Sequence, residues 1–400
     1  MSAAAVRPVD TRPLIVRARR WARANLFSTR ANTVLTLVTL LIVGWAVFAL
    51  LRFVLVSADW TVIEVNRRLL AIGRFPRDEE WRLWPPLWAL MIVGAFAFGL
   101  WLQVDRRGGV LIAAVLLFLY GYLFEGENAL LLAGGMALAV GAYVAARRVR
   151  GTPYQSRARV AAVVGLVLVL PLAVVMLQVG DGVRTSAWGG FFLNLMLAAL
   201  GIGLGFPLGV VLAVGRASSL PVVRWIATAY IEFVRAAPLV AWLFMARFVM
   251  PDFLPPVGGL DDTDIISRAI LVLAGFTAAY VAEIVRSGLQ SVARGQHEAA
   301  EALGFNAFQS TSLIVLPQAL RAVIPALVGQ FISLWKDTTL VFALGLTEFL
   351  GAGEATLAQR SFIGREQEVF AFVAFGFWAV AFGMSRLSQR IERGVGVGIR

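Results

Sequence analysis

Apolar runs long enough to cross a membrane alternate with short polar segments along nearly the whole chain of 400 residues. A helix that crosses a bilayer needs about 20 mainly apolar residues. The pattern predicts spans at residues 32–53, 86–103, 110–124, 128–146, 160–179, 188–214, 225–249, 266–286, 322–345 and 369–386. The expected fold class is therefore all-α, a polytopic membrane protein of about ten transmembrane helices.

Composition supports a membrane protein and excludes several kinds of site. The chain is 59% hydrophobic and 15% charged, whereas an ordinary soluble domain is about 25% charged. Its net charge of +12 does not indicate nucleic acid, because the arginines cluster in short segments between apolar runs, as orientation signals do. Cysteine is absent, which excludes disulfides, thiolate zinc sites and a cysteine nucleophile.

The arginines also predict how the chain is oriented, because positively charged loops stay in the cytoplasm. Most of them fall in segments that would face inward if the amino terminus is inside, so both termini are expected in the cytoplasm. The outward stretch 55–85 is an exception, with Arg67, Arg68, Arg74, Arg77 and Arg82 among acidic residues. We interpret it as a small amphipathic element at the outer surface. The first apolar run, from Ala31 to Phe53, is too long for a signal-peptide core and is expected to be a retained helix.

A basic segment over residues 147–159 divides the chain. It contains Gly151 and Pro153, which interrupt helices. We therefore expect a cytoplasmic basic tail over residues 1–31, five transmembrane helices over residues 32–187, and a second half over residues 188–400.

The long polar segment between the eighth and ninth spans, from Arg286 to Ala326, is the strongest functional signal, since long ordered loops are usually functional. Helix formers run from Glu298 to Leu303, and Gly304 can adopt the conformation that ends a helix. A second apolar-faced helix follows. On composition alone, the segment is either a rigid hairpin that contacts a cytoplasmic partner or an amphipathic hairpin that lies on the inner leaflet.

The fixed residues of this segment are Glu298-Ala299-Ala300, Gly304, Ile314 and Leu316-Pro317. Their spacing resembles the signature of ABC importer permeases at every fixed position. The resemblance implies that residues 287–325 form the coupling loop, whose helix docks in a groove of a separate ATPase. The residues that it assigns to this contact are Gly295, Gln296, Glu298, Ala299, Ala300, Leu303, Gly304, Ile314, Leu316 and Pro317.

The resemblance extends over residues 188–386 and is specific to the polar amino acid uptake family. The motifs that carry it are Gly201-Ile202, Gly205 to Gly209, Ala213 to Arg216, Glu232 to Leu239, Tyr280 to Arg286 and Lys336 to Leu340. Ala236-Ala237 stands where a Gly-Thr pair is more usual. Five helices ahead of the core are similar to the long permeases of broad-range, or general L-amino acid, importers, although residues 1–187 carry no family motif.

This resemblance implies a transmembrane permease subunit of an ATP-driven importer for polar L-amino acids in the bacterial inner membrane. The implied partners are an ABC ATPase dimer, a second homologous permease that completes a heterodimer, a periplasmic amino-acid-binding protein, the amino acid substrate and membrane lipid. A Walker-type loop needs a Gly-Lys pair followed by Ser or Thr, whereas the single lysine, Lys336, follows Trp335. We therefore expect no cofactor in this chain, with ATP and Mg on the partner ATPase, and no catalytic centre.

Ionisable side chains inside spans form a second group of candidates. Each costs at least ~2.5–3.5 kcal/mol at mid-bilayer, so each should face protein or water. The candidates for the substrate path are Glu232, Arg235, Glu283, Lys336 and Asp337. Glu232 and Arg235, three residues apart, can pair, and Lys336 and Asp337 are expected midway along the ninth span. Two interpretations stay open: these charges lock helices together, or Asp337 and Glu283 meet a substrate ammonium group and Arg235 or Lys336 its carboxylate.

Other features are weaker. His297, the single histidine, lacks neighbours in ligand spacing, so we expect no metal there but a residue that faces solvent or the ATPase. Gly201, Gly203, Gly205 and Gly209 are expected to permit close helix packing. The alternative function is an ion-coupled secondary transporter of small polar solutes, which predicts internal repeats and does not explain the hairpin. A membrane enzyme would need a clustered nucleophile, metal set or acid–base pair.

Overall fold

The computed structural model describes residues 14–101, 127–179, 182–253 and 265–395. Within these ranges the chain is helical and holds no strand, with only the isolated bridges Gly73–Trp188 and Gly190–Glu348. The α-helices are α1 (Leu14–Asn25), α2 (Arg30–Arg52), α3 (Thr61–Ile72), α4 (Trp84–Trp101), α5 (Glu127–Val149), α6 (Gln155–Gln178), α7 (Gly190–Arg216), α8 (Pro221–Ala236), α9 (Leu239–Phe248), α10 (Ile265–Ser291), α11 (Arg294–Ala302), α12 (Leu316–Asp337), α13 (Phe349–Leu357) and α14 (Glu366–Val395).

Short helical segments lie between the longer helices. One-turn α-helices lie at Met250–Phe253 and Ala307–Gln309, π-helical segments at Phe53–Ser57 and Ser310–Val315, and 3₁₀ turns at Glu80–Leu83, Thr185–Ala187, Thr338–Leu344 and Arg360–Phe362. In the described ranges, eight helices are long and apolar enough to cross a membrane, and a bent pair supplies a ninth span. The all-α membrane fold is confirmed. The third predicted span, residues 110–124, lies outside the described residues.

The described residues up to Trp60 form one compact unit, and those from Thr61 onward form another. In the first unit, the side chain of Thr29 caps α2 by accepting the backbone N–H of Asn32 at 3.1 Å. No residue of α2 is buried. Such an exposed, uniformly apolar helix is what lipid would surround, which agrees with the predicted first span.

In the second unit, α4, α5 and α6 pack together around Ala97, Leu100, Ala146 and Ala162. The helix break that the sequence predicts near Gly151 lies between α5 and α6, where Gly151 has a φ of +81°. The far end of α6 joins the main hydrophobic core of the second half through Ala173 and Leu177.

Small residues bring α7 and α10 into close contact. A Cβ atom at Gly205 would lie 2.8 Å from the Thr277 Cβ, and one at Gly209 would lie 2.7 Å from the Val281 Cβ. Gly201 meets Leu273 one turn earlier. The predicted role of these glycines in helix packing is confirmed, whereas Gly203 is exposed.

These contacts also fix helix directions. Successive glycines along α7 contact successive residues along α10, in the same order. The two helices therefore run parallel. The chain between them must return from the end of α7 to the start of α10. It crosses as a broken span, with α8 and α9 meeting at 96°. The single span predicted over residues 225–249 is therefore wrong. Pro238 lacks an N–H and forces Ala237 into extended backbone (φ −115°, ψ 150°), which ends α8.

The amphipathic element predicted within residues 55–85 is α3. Its buried face carries Val62, Ile63 and Leu70, while Glu64 and Val65 are exposed. Immediately after α3, Gly73 has a φ of +68°, and a Cβ there would lie 2.5 Å from the Gly189 Cα. This close approach of two backbones ties α3 to the start of α7.

The ninth predicted span also needs correction. The α-helix ends at Asp337, so Lys336 and Asp337 lie at its carboxyl end and not midway. The hydroxyls of Thr338 and Thr339 donate to the carbonyls of Trp335 (2.7 Å) and Lys336 (2.9 Å). Such local bonds compete with the helical pattern. The chain then turns at Gly345, whose φ is +79°, before α13 begins.

Candidate functional site

The first candidate site is a hairpin between α10 and α12 with α11 at its tip. Gly304 has a φ of +80° and ends α11 through two bonds: its own N–H reaches Glu301 O (2.9 Å), and that of Phe305 reaches Ala300 O (3.1 Å). This pair of bonds is the Schellman motif, which the left-handed glycine makes possible. The expectation that Gly304 ends a helix is confirmed.

A second cap follows directly and stiffens the turn. The side chain of Asn306 accepts the N–H of Gln309 at 2.9 Å, and the side chain of Gln309 accepts the N–H of Asn306 at 3.0 Å. This reciprocal arrangement is a capping box. The two sides of the hairpin are also linked. The side-chain amide of Gln318, in α12, donates to the side chain of Gln296, in α11, at 3.1 Å.

The hairpin is shorter than the polar segment that predicted it. Because α10 runs to Ser291 and α12 begins at Leu316, both ends of the proposed loop 287–325 are continuous with spanning helices. A displacement of the hairpin would therefore act directly on α10 and α12.

The signature residues divide into a buried and an exposed group. Ala300 is 1% exposed, so a small side chain fits there. The other predicted contact residues are exposed or half-buried: Gly295, Gln296, Glu298, Ala299, Leu303, Gly304, Ile314, Leu316 and Pro317. His297 is exposed as well. Within the described residues, no group of three or more metal-ligating side chains occurs.

Sequence reasoning missed two residues of this surface. Phe308 is 77% exposed and Leu313 63%, alongside the predicted Leu303 at 76%. Large apolar side chains exposed together on a polar hairpin indicate a contact with another molecule. The signal available in the sequence was an apolar residue inside the Asn306–Gln309 cap, Phe308, and another four residues after it, Leu313.

The second candidate site is an ionic hub, which we define as Arg216, Glu232, Arg235, Glu283 and Arg286. Glu283 of α10 lies at its centre: its Oε1 accepts from Arg216 at 2.6 Å and its Oε2 from Arg286 at 3.0 Å. Arg216 also donates to Glu232 at 2.8 Å. The hub thus joins the end of α7, the last third of α8 and the last third of α10.

The pairing predicted between Glu232 and Arg235 is wrong. Glu232 pairs with Arg216, and Arg235 lies 3.6 Å from Glu283. The guanidinium of Arg235 stands over the ring of Tyr280, 5.4 Å from its centre. Arg235, next to the end of α8, therefore contacts α10 and not its own helix.

Lys336 and Asp337 do not join the hub. Lys336 is exposed and Asp337 half-buried. The Asp337 carboxylate accepts no hydrogen bond from any residue that the structure describes. The five predicted path residues are thus not one cluster: Glu232, Arg235 and Glu283 meet, and the other two stand at the end of α12.

A buried polar network at that end of α12 was also missed. Asn194 donates to Thr338 (2.9 Å) and Glu348 (3.1 Å) and accepts the N–H of Phe349 (2.9 Å). Asn194, Thr338 and Glu348 are all 0% exposed. Glu348 also caps α13 by accepting the N–H groups of Leu350 and Gly351. Burial raises the pKa of Glu348, against the lowering effect of these bonds. An isolated Asn in an apolar helix is the only trace that this network leaves in the sequence.

Comparison with known proteins identifies the kind of molecule in which these sites occur. Residues 205–397 match the family described as binding-protein-dependent transport system inner membrane component. The chain is 34% identical to the glutamate/glutamine/aspartate/asparagine transport system permease protein BztC of Rhodobacter capsulatus, over 94% of each chain. The chain belongs to this family of permeases. The permease is also 32% identical to the inner membrane amino-acid ABC transporter permease protein YhdY of Escherichia coli, over 96% of its own length and 94% of that protein.

Shorter relatives cover only about half of the permease. The permease shares 38% identity with the glutamate/aspartate import permease protein GltK of Escherichia coli over 51% of its own length and 91% of that protein. A crystal structure of an amino acid ABC transporter with histidines is 27% identical, with a TM-score of 0.45, and covers 51% of the permease and 91% of that chain. The permease is therefore of the long variety, and its family membership favours the transport subunit over the ion-coupled alternative.

Proposed function

We propose that this permease forms half of the path of an importer for polar L-amino acids and takes its energy from a separate ATPase that docks on the hairpin. The observation that carries the proposal is the doubly capped turn with Leu303, Phe308 and Leu313 exposed around it. The amino acid class is supported by two relatives, a glutamate/glutamine/aspartate/asparagine transport permease and a glutamate/aspartate import permease.

The geometry indicates how force would pass through the permease. ATP and Mg would be held by the ATPase, whose movement would push on α11. Since the Schellman motif and the capping box fix the turn, the hairpin would move as one body. Its arms continue into α10 and α12, which are long enough to cross a membrane. Their rearrangement against a second permease would open the path alternately to each side, fed by a periplasmic amino-acid-binding protein.

Orientation is part of the same proposal. The parallel α7 and α10, with one crossing between them, put Arg216 and the hairpin on one side of the membrane. Arginine-rich polar segments favour the cytoplasm for that side. We therefore place the permease in the inner membrane of a bacterium with both termini in the cytoplasm.

The test is to strain the hairpin turn at Gly304, which is exposed and is itself one of the predicted contact residues. Gly304→Val puts a β-branched residue into the left-handed region, where a Cβ meets no atom within 4 Å. The matched control is Gly364→Val, where φ is +87° and a Cβ likewise meets nothing. Both variants should reach the membrane, but only Gly304→Val should lose ATPase co-purification and ATP-driven amino acid uptake in vesicles. Equal uptake by the two variants would overturn the proposal.

A second variant separates the contact from the fold of the hairpin. Phe308→Ser removes an exposed apolar side chain and leaves both caps in place. It should weaken co-purification of the ATPase at least tenfold while the thermal stability of the isolated permease stays unchanged. Uptake driven by an ion gradient, without ATP or the ATPase, would instead indicate a secondary transporter.

A further inference from the structure

The ionic hub carries more positive than negative charge. It contains three guanidinium groups, of Arg216, Arg235 and Arg286, and the two carboxylates of Glu232 and Glu283. Three positive and two negative charges leave a formal surplus of one positive charge. A charge at membrane depth is costly without a counter-charge or water, so the location of this surplus is informative.

The surplus resides on Arg235. Arg216 gives one hydrogen bond to each carboxylate, and Arg286 gives both its Nε and its Nη2 to Glu283. Arg235 approaches Glu283 only to 3.6 Å, beyond hydrogen-bond length, and makes no hydrogen bond to any part of the chain that the structure describes. Its side chain is 33% exposed. Its N–H groups are therefore available to another anion.

Arg235 also lies at a distinctive point in the fold. It is the second-last residue of α8, immediately before the 96° break in the span. In transporters, substrate sites commonly form where spanning helices are discontinuous. The Tyr280 ring covers one face of the guanidinium, which restricts the direction from which an anion can approach.

The same contacts remove other candidates. Glu283 is already shared by three arginines, and Glu232 is paired with Arg216. Neither is free to receive a substrate ammonium group. We propose that Arg235 binds the carboxylate of the transported amino acid during passage, with Glu283 and Tyr280 as positioning residues. A guanidinium presents two parallel N–H groups that match a carboxylate. This inference rests on the proposed function and names the residue that the substrate meets.

The test uses the complete importer in detergent without its binding protein, because that protein would otherwise select the substrate first. Binding of radiolabelled L-glutamine and L-glutamate is compared with binding of their α-carboxamides. The wild-type complex should favour the carboxylates at least tenfold. Arg235→Gln should abolish this preference, and Arg235→Lys should retain part of it because the charge remains. Arg224→Gln, an exposed arginine on the same helix, is the matched control and should bind like the wild type.

The outcomes separate the two proposals. If Arg235→Gln keeps the preference for carboxylates, or loses affinity equally for acids and amides, the role of Arg235 in binding is overturned while ATP-driven uptake by the wild type stands. If the wild type shows no ATP-driven uptake, the proposed function itself fails. If Arg235→Gln does not assemble, Arg235→Lys provides the test. A ratio of carboxylate to carboxamide binding equal to that of the wild type would count against the inference.

Discussion

The two ends of the bundle are held together by different chemistry. At the hairpin end, where α7 and α10 finish, the ionic hub joins the helices through side chains that are 19% to 58% exposed. At the opposite end, Asn194, Thr338 and Glu348 form a network without exposure, and the backbones of Gly73 and Gly189 are in direct contact. Partly exposed ion pairs exchange partners with water at little cost, whereas a buried polar group that loses its partner costs about 1–3 kcal/mol.

Under the proposed function, this difference assigns the hairpin end as the movable one. Its ion pairs can exchange partners, so a force applied to α11 would rearrange the hub without unfolding a helix. The opposite end resists rearrangement because breaking any hydrogen bond of the network leaves a buried polar group without a partner. A permease that alternates between two states needs such a fixed end against which the other can move.

Among changes at the fixed end, Gly190→Ala should have the largest effect on stability. Gly190 has a φ of +59°, and a Cβ there would lie 2.5 Å from Leu70 O. Left-handed strain of about 1–2 kcal/mol adds to an overpacking cost of about 1–3 kcal/mol. Thermal unfolding in detergent should show a loss of about 2–5 kcal/mol. Gly364→Ala, which has the same backbone strain but no neighbour within 4 Å, should lose only the strain energy of about 1–2 kcal/mol. Equal losses for the two variants would mean that the contact between α3 and α7 is not tight.

The next test compares the network with the hub. Asn194→Ala leaves the Phe349 N–H and the Glu348 carboxylate short of a buried partner, so we expect a loss of about 2–4 kcal/mol. Arg286→Gln leaves Glu283 with two arginines, and the loss should be about 0–1 kcal/mol. Raising the salt concentration should reduce the stability loss of Arg286→Gln but not that of Asn194→Ala, because exposed charges are screened and buried hydrogen bonds are not. A larger loss for Arg286→Gln would reverse the assignment of fixed and movable ends.

Much of this architecture was predictable because it depends on local rules. Apolar runs located eight of the spans and the region of the broken ninth. Gly304, which can adopt positive φ, was correctly predicted to end α11. The amphipathic pattern of α3 was also visible. In each case one helix and its immediate sequence determine the result.

What sequence reasoning could not supply depends on several helices at once. The break at Pro238 was predicted as a straight span because the apolar run continues on both sides. Arg235 was assigned to Glu232 by spacing along one helix, but it approaches Glu283 of α10, a neighbour that only the packing of two helices brings near. Thr338 and Thr339 make short-range bonds at the end of α12 that hydropathy does not register, so Lys336 and Asp337 were predicted midway along a helix and lie at its carboxyl end.

The smallest expected effect concerns pH at the fixed end. Burial raises the pKa of Glu348 above its ordinary value, and the nearby Glu354 acts in the same direction. The folded state therefore binds this proton more tightly than the unfolded state does. The stabilisation is fully present below the ordinary carboxyl pKa and is lost as pH rises through the folded value. Thermal stability of the wild type should fall over that range, and Glu348→Gln, which cannot titrate, should show a flatter profile. A profile unchanged by Glu348→Gln would show that the hydrogen bonds from Asn194, Leu350 and Gly351 outweigh burial and keep the carboxylate ionised.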